Sequence, residues 1–199
     1  TSPFFLHLSF FQPHPPLVPT RDYLDRYLRK PMPGPVIGDW AEELSRHERP
    51  GIPPDSAVGP FAEEEIQRAQ AAYYALINHI DDCVAHVIER WREYGNPRAK
   101  EPLYILFSSD HGEMLGDHHL FRKSLGYEAS SHVPFFLSGY NVDLEPGTCD
   151  RICSWEDVLP TVVDQLELEV DPDEPPLPGH NLLAQCTGRI EPRTEYVID

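Results

Sequence analysis

One stretch of the sequence, residues 110–132, concentrates side chains that bind metals and anions. It holds four of the ten histidines of the chain. Its candidate residues are Asp110, His111, Glu113, Asp117, His118, His119, Lys123, Glu128 and His132. An oxygen donor beside an imidazole, as in Asp110 and His111, suits a divalent cation, and Lys123 would add positive charge to hold an anionic ester. For an isolated Asp-His-Gly sequence, a turn with an Asx-type hydrogen bond and a solvated histidine is the favoured interpretation.

These polar residues follow two predicted β-strands. Asp110 and His111 come shortly after the apolar run at residues 103–108, and His14 follows the apolar run at residues 3–11. Ligands of open α/β sheets bind at the carboxyl ends of the strands, so this placement favours a site at the sheet edge.

The neighbouring pair Asp110 and His111 reaches one ion only if the strand has already ended. Adjacent residues on a regular strand point to opposite faces of the sheet. Gly112 is expected to release the pair from that pattern, because glycine adopts backbone conformations closed to other residues.

The spacing of apolar residues predicts an α/β fold. Residues 3–11 are apolar on most positions of both faces, which is typical of a central strand covered on each side. Residues 63–94 repeat apolar side chains at the helical period and are followed by Gly95, so we expect a long helix that packs on a sheet. With the strand at residues 103–108 they form a crossover unit, which favours a parallel pair. Further predicted elements are strands at residues 133–138 and 150–154 and a helix at residues 155–166. The expected architecture is a largely parallel sheet flanked by helices.

The length of the chain predicts one domain, with two irregular segments. Residues 20–60 carry many prolines and are predicted to form an irregular loop insertion with a short helix at residues 22–28. Residues 167–199 form an acidic, proline-rich terminal segment that is expected to be mostly loop.

The composition limits the classes of partner. The net charge of −17 excludes general nucleic-acid binding, which needs a basic stripe. No apolar run approaches the roughly 18 residues of a membrane span, so we expect a soluble chain, with the cytoplasm favoured over the periplasm. Cys149 and Cys153 are spaced for a bridge or a metal site, although free thiols are the favoured interpretation. The sequence carries no signal for the oligomeric state.

Several motifs recur in the order expected of one enzyme family. Residues 108–120 read Ser-Ser-Asp-His-Gly-Glu-Met-Leu-Gly-Asp-His-His-Leu and are followed by Lys123 and the segment 127–134. Upstream are an apolar strand and the sequence Pro-His-Pro-Pro at residues 13–16. The helix segment 72–82 and the later segments 159–163 and 178–183 continue the pattern. Together they resemble the carboxyl-side part of sulfatases and phosphonate monoester hydrolases, which belong to the alkaline phosphatase superfamily.

The resemblance implies a single divalent cation, with Ca²⁺ expected and Mn²⁺ as the alternative. Asp110 and His111 match two of its ligands. His14 and Lys123 match the catalytic histidine and lysine of the family, which contact the sulfate or phosphoryl oxygens of the substrate and assist the leaving group. Imidazole suits proton donation near neutral pH, and a lysine stabilises charge on the transferred group.

The sequence also departs from the family pattern. Sulfatases convert a cysteine in a Cys-X-Pro-Ser-Arg sequence to formylglycine, and no such sequence occurs here. The early aspartate ligands of the family are absent as well. We therefore expect residues 1–199 to be the carboxyl-side part of one sulfatase-like domain. By itself this part is predicted to be inactive, with the formylglycine nucleophile in a missing amino-terminal part.

The leading hypothesis is a metal-dependent hydrolase of small sulfate esters. One alternative is a phosphonate or phosphate monoester or diester hydrolase of the same superfamily, and the other is a non-catalytic anion- or metal-binding module. His118 and His132 are candidates to line the pocket, although hydrogen-bonded structural roles are favoured for both. The glutamates at residues 63–65 are assigned to the helix N-terminus instead of catalysis.

Overall fold

The computed structural model describes residues 4–42, 59, 61–94 and 102–197. In chain order, its elements are α1 (Arg21–Tyr27), α2 (Asp39–Glu42), α3 (Glu63–Tyr94), β1 (Leu103–Ser108), α4 (Glu128–Ser131), β2 (Phe135–Tyr140), α5 (Val158–Gln165) and α6 (Leu182–Cys186). Short 3₁₀ turns occupy Asp117–His119 and Trp155–Asp157. The predicted helix stop at Gly95 lies outside the described residues. The chain divides into two compact units, residues 1–142 and 143–199, and its assignment to one domain stays a prediction.

Helix α3 has the bounds that the apolar period predicts. Carboxylates cap its start, and the side chain of Glu65 accepts the Ala62 N–H at 2.9 Å. Its buried residues all lie in the first half: Ile66, Gln70, Ala71, Ala72, Ala75 and Leu76. This half packs on the loop at residues 115–116 instead of the expected sheet. The Gln70 amide donates to the Leu115 carbonyl, and Ile66 lies against Gly116. The other end meets the sheet where the Trp91 ring contacts Tyr140.

The short helix expected at residues 22–28 is α1, and it packs on α3. Tyr23 donates a hydrogen bond to Asp82 at 2.6 Å, and the rings of Tyr27 and Tyr74 stack with centroids 6.0 Å apart. Among the described residues, no helix has the length and apolar character needed to cross a membrane.

The described sheet is a single antiparallel pair, whereas the expected parallel pair is between residues 3–11 and the strand at residues 103–108. β1 pairs with β2, with Leu103 opposite Tyr140 and Ser108 opposite Phe135. A parallel pair needs a crossover of a dozen or more residues, usually a helix. Between β1 and β2 the structure has a 3₁₀ turn, the four-residue α4 and loop, and none of these is a helix long enough to cross over the sheet.

Two predicted strands are not strands in the structure. In residues 4–11 the apolar side chains face solvent, with Phe4 66% and Phe5 72% exposed. A segment that is apolar on both faces needs paired strands and covering layers on each side. The described part of the chain offers it neither. Residues 150–154 likewise form irregular backbone.

The second unit is organised by the buried carboxylate of Asp157. Its side chain is fully buried and accepts both guanidinium nitrogens of Arg193, at 2.9 and 2.8 Å. It also accepts the backbone N–H groups of His180 and Ser154. Burial alone would raise the pKa of Asp157, but these hydrogen bonds outweigh burial and hold the pKa below its ordinary value.

Removal of the arginine partner is expected to destabilise the second unit. We expect Arg193→Ala to lower the free energy of unfolding by about 3–5 kcal/mol, because it leaves a buried carboxylate unpaired. The difference from wild type is fully present at neutral pH and is lost as the pH falls below about 4, where the unfolded carboxyl takes up its proton. Chemical denaturation at neutral pH and at a pH below about 4 measures this difference in the free energy of unfolding. The exposed Arg189→Ala is the control, and an equal loss in both variants would contradict the assignment.

The cysteines pair differently from either expected alternative. Cys149 forms a disulfide with Cys186, across Cα atoms 5.5 Å apart, whereas Cys153 and Cys83 are free thiols. Residues 149–153 are not helical, so Cys149 and Cys153 do not lie one turn apart. Cys186, the last residue of α6, lies next to Cys149 instead. The compartment of the protein stays a prediction.

Candidate functional site

His14 and Lys123 are in direct contact, although 109 residues separate them in the chain. The Lys123 Nζ lies 2.7 Å from the His14 Nε2. The other ring nitrogen of His14 is 2.8 Å from the Pro15 carbonyl oxygen, which accepts only from a protonated Nδ1. The Nε2 atom therefore accepts a hydrogen bond from the lysine ammonium. Both residues predicted to contact the ester lie at one place.

The predicted metal pair lies beside this contact. The ring centroids of His111 and His14 are 6.0 Å apart. The His111 Nδ1 is 2.8 Å from the Gly112 carbonyl oxygen, which leaves the lone pair on Nε2. That Nε2 lies 3.6 Å from the Oδ2 of Asp110, whose side chain is 84% exposed. The structure thus brings all four predicted site residues together in the first unit.

The Asp110 and His111 donors fit two positions around one cation. Ligand distances of about 2.1 Å for nitrogen and about 2.4 Å for oxygen allow two donors on one ion to lie up to about 4.5 Å apart. The 3.6 Å separation is within that limit. Within the described ranges, no group of three or more His, Cys, Asp or Glu side chains forms a metal site. These two residues would therefore be part of a larger ligand set.

Gly112 is needed here for a reason other than the predicted one. Strand β1 ends at Ser108, so Asp110 and His111 are free of strand geometry as expected. Gly112, however, does not adopt a left-handed backbone. Its N–H donates to the Ser130 carbonyl at 2.7 Å, and a Cβ at this position would lie 2.1 Å from the Ala129 carbonyl oxygen. Close backbone approach is what excludes a side chain.

We expect Gly112→Ala to lower the free energy of unfolding by about 1–3 kcal/mol, in the range of overpacking substitutions. The added methyl group would push residues 129–130 away from the metal pair. Urea denaturation measures the effect. Gly126→Ala is a matched control, because nothing lies within 4 Å of a Cβ built there. Equal stability of the two variants would show that the close approach carries no energetic weight.

The loop that carries Lys123 has an unusual backbone. Arg122 and Ser124, on either side of it, have φ angles of 81° and 72°. Left-handed backbone is uncommon for residues other than glycine and is found where the surrounding structure enforces it, often at functional sites. The sequence carries no glycine at these positions, so no motif signals this feature.

Two further histidines of the segment, His118 and His132, have structural contacts. His118 accepts the Gly38 N–H at 3.0 Å, and its ring packs against Trp40. His132 pairs with Glu128 on the exposed surface. These contacts agree with the structural roles favoured for His118 and His132.

A cavity of about 260 Å³ adjoins the histidine and lysine. Its walls include the chain neighbours of both residues, Pro15 and Arg122. The complete lining is Pro15, Leu17, Phe61, Glu65, Glu113, Phe121 and Arg122. The rings of Phe61 and Phe121 meet edge to face with centroids 5.0 Å apart. Sequence reasoning did not identify this cavity, because its two phenylalanines lie 60 residues apart.

Comparison with known proteins identifies proteins that are similar to this chain. The sulfatase family model matches residues 1–168. The chain is 36% identical to an arylsulfatase from Clostridium perfringens over 85% of its own length and 35% of the relative. It is 31% identical to a choline-sulfatase from Rhizobium meliloti over 98% of the chain and 37% of that protein.

A solved structure gives the same result for the fold. The phosphonate monoester hydrolase SpPMH from Silicibacter pomeroyi superposes with a TM-score of 0.70 and 27% identity, over 93% of this chain and 37% of that one. The fold is therefore α/β and alkaline-phosphatase-like, as predicted, and the chain spans slightly over a third of the length of these relatives. On the family match and these identities, the chain belongs to the sulfatase family of the alkaline phosphatase superfamily.

Proposed function

We propose that this chain is the carboxyl-side part of a metal-dependent hydrolase of sulfate esters. The observation that carries the proposal is the contact between His14 and Lys123, with the pair Asp110 and His111 beside it. Positively charged groups and hydrogen-bond donors lie close together there, in a chain whose net charge is −17. The overall field repels an anionic ester, so local groups must supply the attraction.

Lys123 and His14 have complementary tasks in this proposal. A lysine ammonium has three N–H donors, and one of them is used on the His14 Nε2. The other two are available for the oxygens of a sulfate group, where charge develops during transfer. The Pro15 carbonyl fixes the His14 ring with Nε2 toward the site, and Nε2 would exchange a proton with the leaving oxygen after that oxygen replaces Lys123 as its partner.

Asp110 and His111 would hold the cation, for which Ca²⁺ is our proposal and Mn²⁺ the alternative. When bound, a divalent cation supplies Lewis-acid stabilisation of the charge on the ester oxygens. The chain's contribution is to fix the ligand orientation, since the Gly112 carbonyl sets the ring of His111 and the backbone N–H of His111 binds the Asp110 carboxylate at 3.1 Å.

The nucleophile is proposed to come from an amino-terminal part outside these 199 residues. The chain spans about a third of their length and has no Cys-X-Pro-Ser-Arg sequence. A formylglycine in that part would complete the site, and we propose that residues 1–199 alone do not turn over substrate.

The organic group of the ester is proposed to be an uncharged aromatic ring. The cavity beside the site is large enough for one or two rings, and Phe61 and Phe121 offer edge and face contacts. The carboxylate of Glu65 lines the same cavity and disfavours an anionic substituent. The name of the Clostridium relative, an arylsulfatase, supports this assignment.

Phosphonate monoester hydrolysis is the second candidate. It is favoured by the structural match to the Silicibacter phosphonate monoester hydrolase. Non-catalytic binding of an anion or a metal is the third candidate. It would be favoured by absence of turnover in the completed protein, meaning this chain joined to an amino-terminal sulfatase half.

The test joins this chain to an amino-terminal sulfatase half and measures hydrolysis of 4-nitrophenyl sulfate and of a phenyl phosphonate monoester. We expect release of sulfate that a chelator abolishes and added Ca²⁺ or Mn²⁺ restores. Faster turnover of the phosphonate would favour the second candidate. Turnover of neither substrate, with the protein folded, would overturn the proposed function.

A further inference from the structure

The buried carboxylate of Glu113 has no part in the chemistry described above. Its residue is only 8% exposed. One carboxylate oxygen, Oε1, accepts the backbone N–H of Arg122. In the part of the chain that the structure describes, Glu113 forms no ion pair with a lysine, arginine or histidine. Burying a carboxylate without a cation beside it costs free energy. The hydrogen bond that it accepts from the Arg122 N–H is therefore expected to serve a purpose.

The Arg122 backbone is held from both sides by the segment that follows the metal pair. Its N–H donates to the Glu113 side chain, and its carbonyl accepts the Met114 N–H at 2.9 Å. The φ angle of 81° costs energy for an arginine, and these two hydrogen bonds hold it in place. Because Arg122 is the residue before Lys123, its conformation sets the direction in which the Lys123 side chain leaves the loop.

The backbone of Glu113 is itself anchored to the segment after the metal pair. Its backbone N–H donates to the Ala129 carbonyl at 2.9 Å, directly after the close approach at Gly112. The phenol of Tyr73 on α3 lies near the carboxylate. Burial and, next, the charge of Glu113 raise the pKa of Tyr73 to about 12, so the phenol is neutral at physiological pH. The bond to Ala129 therefore fixes the backbone of residue 113, two positions after His111.

We propose that Glu113 is a positioning residue, which fixes the left-handed backbone of Arg122 and thereby holds the Lys123 ammonium on His14 and over the ester. The inference rests on the proposed function for its kinetic consequence. Its structural part is that the contact between Lys123 and His14 depends on Glu113. This part can be tested without turnover.

The kinetic test is a double-mutant cycle in the completed protein. We expect Glu113→Ala to lower kcat by about 10- to 100-fold, as for residues that orient an active group. Glu113→Gln keeps an oxygen acceptor and should stay within about threefold of wild type. In a Lys123→Ala background, Glu113→Ala should cost no more than about twofold, because the residue acts through the lysine. A loss of the same size in both backgrounds would overturn the proposal, since it would indicate a general structural role.

The second readout uses residues 1–199 alone and needs no turnover. Nitrogen-15 NMR signals of the Lys123 ammonium and the His14 ring should shift in Glu113→Ala and keep their wild-type positions in Glu113→Gln. The exposed Glu89→Ala on α3 is the control. If Glu113→Ala does not fold, Glu113→Asp, shorter by one methylene group, replaces it in both tests. Unchanged His14 and Lys123 signals in a folded variant would refute the positioning role, whereas shifted signals in a protein without turnover would place the failure in the proposed function.

Discussion

Lys123→Ala is expected to reduce kcat of the completed enzyme by about 10²- to 10³-fold, which corresponds to about 2.7–4 kcal/mol of transition-state stabilisation. The substitution removes an ammonium group from the ester oxygens and, at the same time, the donor to the His14 Nε2. Because the lost charge acts most strongly in the transition state, kcat should fall more than KM rises.

The comparison variants for this lysine are chosen by geometry. Lys30→Ala is the control, because Lys30 is exposed and contacts the ring of Tyr27 outside the site. Lys123→Arg keeps the charge but replaces a compact ammonium by a planar guanidinium, so only part of the activity should return. If Lys123→Ala loses no more activity than Lys30→Ala, the lysine is a surface charge.

Asp110→Ala is expected to remove cation-dependent hydrolysis, with a loss of at least about a thousandfold, because a bound cation contributes several kcal/mol. The folded structure should survive, since the Asp110 side chain is 84% exposed and its described contacts are confined to His111. The measurement is sulfate release over a titration with Ca²⁺ and with Mn²⁺. The exposed Asp81→Ala on α3 controls for the loss of one negative charge.

Metal content decides whether the loss belongs to the ligand role. Asp110→Ala should bind less cation than wild type and should show the same thermal unfolding in the absence of metal. A variant that keeps chelator-sensitive turnover at the wild-type level would contradict the assignment of Asp110 as a ligand.

Local patterns in the sequence predicted the elements that carry the site. The helical period identified α3 with its observed ends, and the apolar run before Asp110 identified β1. The meeting of His14 with Lys123 was predicted from the family resemblance, since the residue spacing gives no indication of a contact across 109 residues. The roles of these residues stay predictions.

Features that depend on tertiary contacts were missed or predicted for the wrong reason. The direction of β2 depends on how the loop after β1 returns, and the local pattern of β2 fits either direction. Gly112 is required by the approach of the Ala129 carbonyl, which no local propensity reveals. The partner of Cys149 lies 37 residues away and is set by packing of the second unit. The role proposed for Glu113 depends on a backbone N–H, which every residue type except proline provides.

The central claim is that one cation and one ester share the site formed by Asp110, His111, His14 and Lys123. Paramagnetic broadening by Mn²⁺ in NMR spectra of the isolated chain tests this claim without any turnover. We predict that substoichiometric Mn²⁺ broadens the signals of His111 first and those of His14 and Lys123 next, and that Asp110→Ala abolishes this order. Broadening that begins at other acidic residues and leaves His111 and His14 sharp would contradict the account.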